Sequence, residues 1–188
     1  MKGLGIAVVL ALVAIPALHA QGAAAESPAH QYFGDVKLLN QNGQEMRLYS
    51  DLLKDRTVVI DVMFTACSGA CPVMSGTFAS LQDHLGDRLG KDVYLVSISV
   101  DPVNDTPAKL KEYAARFHAR SGWYFLTGPK ENVEEALRKL GQSVANREAH
   151  QNLFLIGNDR TGLWKKAFGL AKPEELFTIV DSVVNDKG

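Results

Sequence analysis

Two hydrophobic rhythms alternate along this chain. Runs such as Thr57-Val58-Val59-Ile60-Asp61-Val62-Met63-Phe64 and Val93-Tyr94-Leu95-Val96-Ser97-Ile98-Ser99-Val100 are short, β-branched and almost continuously apolar. That is the pattern of strands buried on both faces. The first run gives way to Val73, Met74, Phe78, Leu81 and Leu85, apolar positions that recur at the helical period. The predicted order begins with a hairpin, 35–39 and 45–48, around Asn40-Gln41-Asn42-Gly43, since Asn-Gly between strand-like runs signals a tight reversal. A short helix or turn over 49–54, strand 57–64, helix 72–89 and strand 93–100 follow. Thr106 then caps a helix that opens with Pro107 and runs to about 118. Strand 123–127, helix 130–140 ended by Gly141, the strand pair 152–156 and 163–168, and a last helix over 173–185 complete the chain. Strands alternating with helices predict an α/β layer with a mixed sheet flanked by helices. Right-handed crossovers make the first two long strands parallel neighbours.

The chemistry concentrates where strand 57–64 turns into a helix, at Phe64-Thr65-Ala66-Cys67-Ser68-Gly69-Ala70-Cys71-Pro72. Cys67 and Cys71 are the only two cysteines. Pro72 suits the first helical turn, and it pushes Cys71 out of the α region, so Cys71 is expected at the N-cap. Unpaired N–H groups and the helix dipole there favour thiolate over thiol. One helical turn separates Cβ atoms by roughly 5–6 Å, against about 4 Å in a disulfide. A non-helical loop closes that gap, so the pair can hold a disulfide or clamp an ion. The loop lies at the carboxyl end of its strand, where open α/β sheets place their sites. A two-cysteine strand-to-helix turn of this kind indicates a thioredoxin-like fold, here with an N-terminal β-hairpin.

Composition narrows the setting. Lys2, an apolar run over 4–18 and small residues over 20–25 match a secretory signal. The run of about 15 apolar residues is shorter than the ~20 of a spanning helix, and the alternative is an uncleaved anchor. Residues 1–25 are therefore expected to be a signal peptide, 26–32 a flexible start and 33–188 one domain. Either form of the leader places the domain outside the cytoplasm, in the periplasm or tethered to the inner membrane, where disulfides persist. Twenty Lys plus Arg against 21 Asp plus Glu give a net charge of −1, and no basic face suggests nucleic acid. A disulfide closing so short a loop would constrain the unfolded chain little, so the cysteines are read as chemical, not structural.

Five histidines occur. His19 falls in the leader and His30 in the flexible start; His84 and His118 are expected as surface or satisfied core residues. His150 precedes strand 152–156 at the mouth of the sheet, where thioredoxin-like folds usually place a cis-proline; no proline occurs over 146–151. A histidine there is either a loop residue without function or a third ligand. Two thiolates and one imidazole suit Cu(I), Cu(II) or Zn(II).

The cysteine loop, Ser97-Ile98-Ser99-Val100-Asp101-Pro102 with Asp105-Thr106-Pro107, Leu126-Thr127-Gly128, and His150 before an apolar strand together resemble the SCO/SenC family of copper-binding thioredoxin-like proteins, from about residue 31 to the C-terminus. The resemblance implies that Cys67, Cys71 and His150 bind one copper ion. It also implies a metallochaperone that helps assemble the binuclear copper centre of cytochrome c oxidase, by copper delivery, by reducing the target's cysteines, or both. The implied partners are the copper-site subunit of the oxidase and another periplasmic copper carrier. Two departures stand out: Ser68-Gly69-Ala70 replaces the Pro and acidic residue often found between the cysteines, and Ala149 replaces the Asp often found before the histidine. The first removes a charge beside the sulfurs and the second a partner for the imidazole.

Competing readings are a thiol–disulfide oxidoreductase, with Cys67 as attacker and Cys71 as resolver, and a redox or copper sensor without metal delivery. A thiol peroxidase fits less well, because no proline precedes the loop in the peroxidase-like arrangement. In the loop over 101–107, Asp101 and Asp105 are expected to turn the chain and, with Thr106, to cap the helix; the alternative is contact with a basic partner.

Overall fold

The computed structural model describes residues 26–143, 146, 149 and 151–188; the expected signal peptide, 1–25, lies outside them. The first element is a short helix, α1 (Pro28–Phe33), where a flexible start was expected. Ser27 Oγ caps it by accepting the His30 N–H at 3.1 Å, and the His30 ring stacks on Tyr49, centroids 4.9 Å apart. The hairpin follows as β1 (Lys37–Asn40) and β2 (Glu45–Arg47). Its turn is closed by Asn40, whose side-chain oxygen accepts the N–H groups of Asn42 and Gln44, with Gly43 at φ +75°, a conformation that favours glycine. A single helical turn, Leu48–Leu53, leads into β3 (Thr57–Met63).

Every residue of β3 is buried, as its unbroken apolar run predicts, so both faces of the sheet are covered at its centre. Next come α2 (Ala70–Leu85), β4 (Val93–Ser99), α3 (Pro107–Arg116), β5 (Trp123–Thr127), α4 (Lys130–Lys139), β6 (Leu153–Asn158), β7 (Leu163–Phe168) and α5 (Pro173–Val184). The seven strands form one sheet in the order β2-β1-β5-β4-β3-β6-β7. β3, β4 and β5 are parallel neighbours, as right-handed crossovers require. β6 runs antiparallel to β3, and β7 antiparallel to β6. The carboxyl ends of β3, β4 and β5, the start of β6 and the end of β7 therefore share one edge of the sheet.

α2 buries Cys71, Met74, Ser75, Phe78, Leu81 and Leu85 along one stripe. Phe78 stacks on Phe154 of β6 at 5.0 Å and meets Trp123 of β5 edge-on at 5.6 Å. Trp123 keeps its polar atom satisfied by donating Nε1–H to Ser97 Oγ at 3.0 Å. Ser75 and Tyr113 share a hydroxyl hydrogen bond at 3.1 Å, which ties α2 to α3 on this face. Among the described residues no helix is long and apolar enough to cross a membrane.

Candidate metal and redox site

The two cysteines stand on different elements. β3 ends at Met63, anchored to the neighbouring loop by the Val100 N–H on its carbonyl at 2.8 Å. The chain then reverses: the Cys67 N–H donates to the Phe64 carbonyl at 3.1 Å, a four-residue turn. α2 begins at Ala70 with Gly69 as its N-cap, so Cys71 lies inside the first helical turn and is not the cap that Pro72 suggested. Both cysteines are free thiols; Cys67 is partly exposed and Cys71 fully buried. They hydrogen-bond each other.

Burial, reinforced by that hydrogen bond, pushes the Cys71 thiol up to about 12. This overturns the expectation that the helix N-terminus makes both sulfurs ready thiolates. Desolvation of a fully buried sulfur outweighs the partial charge of a helix end.

Sequence reading missed Asp61. It lies mid-strand on β3, 1 % exposed, paired in register with Ser97 of β4. Ser97 pulls its pKa back down in part, yet neither carboxyl oxygen has a hydrogen bond of normal geometry. Burial raises its pKa to about 7. Its charge is felt at both Cys71 and Tyr113, which places the acid, the thiol and the phenol in one buried cluster. The only sequence signal was a lone acid in an apolar run.

Asp105 was expected at a helix cap, or alternatively facing a basic partner; it does neither. It is 1 % exposed. Its Oδ2 accepts the Thr65 N–H at 3.0 Å and the Ser99 hydroxyl at 2.6 Å, and its Oδ1 accepts the Thr65 hydroxyl at 2.5 Å. Thr106 alone caps α3, accepting the Lys109 N–H at 3.3 Å. Asp101 turns the loop, as expected, by accepting from Asn104 Nδ2 at 2.8 Å.

Of the other candidates, His84 is a brace between α2 and α5: Nε2 lies 3.0 Å from Asp181 Oδ2 and the ring stacks on Phe177 at 4.5 Å. His118 closes α3 at φ +51°. His150 lies outside the described residues. After β7, Gly169 packs on Met74 of α2. The Gly169 N–H donates to the Asn152 carbonyl at 2.7 Å. A Cβ added at Gly169 would sit 2.8 Å from Met74 Sδ and 2.9 Å from the Asn152 oxygen. Asn152, just before β6, is thus bonded to Gly169, which lies against Met74 of α2, one turn beyond Cys71.

Val73, Val103, Phe168 and Leu170 are exposed apolar side chains. They fall on the start of α2, the loop after β4 and the end of β7, all at the dithiol edge.

The model of the SCO1/SenC family matches residues 24–181. The SCO1 protein homolog of Bacillus subtilis (strain 168) is 37% identical over 129 residues, 64% of this chain and 65% of that protein. The structure of BsSco, a member of the Sco family of cytochrome c oxidase assembly proteins in which a disulfide switch was identified, matches at 32% identity with a TM-score of 0.65, over 80% of this chain and 92% of that one. Yeast Sco1 with copper bound matches at 20% identity with a TM-score of 0.69, over 81% and 87%, a likeness of fold alone. The α/β thioredoxin-like fold expected from the cysteine turn is the fold observed. The chain spans between 49% and 65% of the length of the first curated relatives it matches.

Proposed function

The chain belongs to the SCO1/SenC family, and from that premise we propose that it is an exported copper metallochaperone for the copper centre of cytochrome c oxidase. One copper ion is held by Cys67 Sγ, Cys71 Sγ and a ring nitrogen of His150. Residues 1–25 direct export, cleaved or retained as an anchor, and 33–188 form the working domain. The observation that carries the reading is the close approach to Met74, one turn beyond Cys71, of Gly169, which is itself hydrogen-bonded to Asn152. Leu153 begins β6 at the dithiol edge, and His150 stands three residues earlier in the sequence.

The donor set fits the cargo. Two sulfurs and an imidazole are soft donors that suit copper, and three protein donors leave the ion open to exchange. Binding displaces the proton of each thiol. The exposed apolar side chains around the edge suit docking on another macromolecule, here the copper-site subunit of the oxidase or a second exported copper carrier.

A second reading rests on the unequal burial of the two thiols. The Cys67 thiolate attacks a target disulfide and one target thiolate leaves. Cys71, deprotonated, then displaces the second. Two electrons and two protons pass to the target, and Cys67–Cys71 becomes the disulfide. Reduction of a target's copper-binding cysteines before delivery would join the two readings.

His150→Ala separates them. Its reduced form should lose copper to a chelator roughly tenfold or more faster than the parent, while its rate of reducing a disulfide substrate stays within about twofold. Copper held as tightly as in the parent would overturn the ligand set. Lost copper with full support of oxidase assembly would leave the reductase alone.

A further inference from the structure

The turn that presents Cys67 is held from outside. Its own hydrogen bond joins the Cys67 N–H to the Phe64 carbonyl, which leaves the Thr65 N–H and hydroxyl directed away from it. Asp105, forty residues along the chain, takes both: Oδ2 accepts the N–H at 3.0 Å and Oδ1 the hydroxyl at 2.5 Å. A carboxylate that binds the amide and the side chain of one residue fixes its backbone and rotamer together. Oδ2 also accepts the hydroxyl of Ser99, the last residue of β4, at 2.6 Å, and the Asp105 N–H donates to the Asp101 carbonyl at 2.9 Å. Asp105 is 1 % exposed, so water does not compete for these bonds.

The geometry points to Asp105 as a positioning residue for Cys67, holding the dithiol open against closure to a disulfide. Cys71 is fixed within α2. In the dithiol the two sulfurs meet through a hydrogen bond, whereas a disulfide draws them to about 2.05 Å. Closure therefore moves the Cys67 side of the pair, and the clamp on Thr65, two residues upstream, opposes that movement. Open, the pair stays available to an ion. An amide at 105 keeps one acceptor oxygen for the Thr65 N–H and the Ser99 hydroxyl, but it turns an NH2 toward the Thr65 hydroxyl and loses the charge that strengthens all three bonds. This inference rests on the reading of Cys67 and Cys71 as a working pair.

The test equilibrates the full chain in glutathione buffers, where the dithiol and one oxidised glutathione give the disulfide and two reduced glutathiones, a transfer of two electrons and two protons. Asp105→Asn should shift the equilibrium constant about tenfold toward the disulfide, lowering the midpoint potential by about 30 mV. Thr65→Val, which removes the hydroxyl and keeps the N–H, should shift it severalfold in the same direction. Thr65→Ser, which keeps both groups, should stay within twofold of the parent. Phe154→Leu lowers stability without touching the clamp and should also stay within twofold. Should Asp105→Asn fail to fold, the Val and Ser variants at position 65 decide the matter. Equilibrium constants within twofold of the parent for both Asp105→Asn and Thr65→Val would overturn the inference. So would an equal shift in Phe154→Leu, which would reduce the clamp to a source of general stability. A parent chain that retains no copper, with the glutathione shifts intact, would overturn the copper carrier and leave the positioning role standing.

Discussion

At position 61 a carboxylic acid is packed within a strand whose seven residues are all buried. Removing it from water raises its pKa from the ordinary 3.8 to about 7. Between those values the folded chain keeps a proton that the unfolded chain has released. Stability therefore declines as pH rises from about 4 to 7 and levels off above. Asp61→Asn removes the titration. Its effect on stability should be more favourable at pH 8 than at pH 4 by on the order of 3 kcal/mol, measured by urea titration at each pH. An effect equal at both pH values would contradict the buried, proton-holding acid. Neither Asp61 nor Asp105 could be placed from sequence, because both are defined by what lies across the fold. Asp61 stands in a run buried on both faces, which gave no clue to its neighbours. Asp105 preceded a Thr-Pro helix start, so the local capping role concealed a contact with Thr65.

At the scale of elements, the cysteine turn was legible as a strand entering a helix, and its exact register was not. Pro72 marked the first helical turn, but the first four N–H groups of a helix lack partners, so proline is tolerated one or two positions further in. Gly69 takes the cap, and Cys71 moves inside, where burial governs its acidity. The close approach of Gly169 to Met74 of α2 and to Asn152 was invisible in sequence, since it depends on Gly169 having no side chain. Gly169→Ala should lower stability by about 1–3 kcal/mol and weaken copper retention, because the backbone oxygen of Asn152 lies 2.9 Å from the added Cβ. Wild-type stability and retention would refute this contact. Phe78→Ala should cost about 3–5 kcal/mol, since its ring is packed between Phe154 and Trp123; a urea midpoint within error of the parent would contradict that packing.

For the whole molecule, the order of strands and helices, the parallel β3–β4 pair and the closing β6–β7 hairpin were readable from periodicity and turn residues, while the parallel place of β5 beside β4 was not. α1 was not, because six residues with no buried member carry no periodic signal. The topology assembles the site: the turn after β3, the loop after β4, the chain entering β6 and the end of β7 meet at one edge. That convergence underlies the proposal that a sulfur from the turn after β3, a sulfur from the first turn of α2 and an imidazole from a distant segment share one ion. X-ray absorption on the reduced full chain loaded with one equivalent of copper tests it most directly. The account predicts two sulfur neighbours and one imidazole nitrogen on the copper, with the imidazole signal lost in His150→Ala. A copper without sulfur neighbours, or an imidazole signal unchanged in that variant, would contradict it.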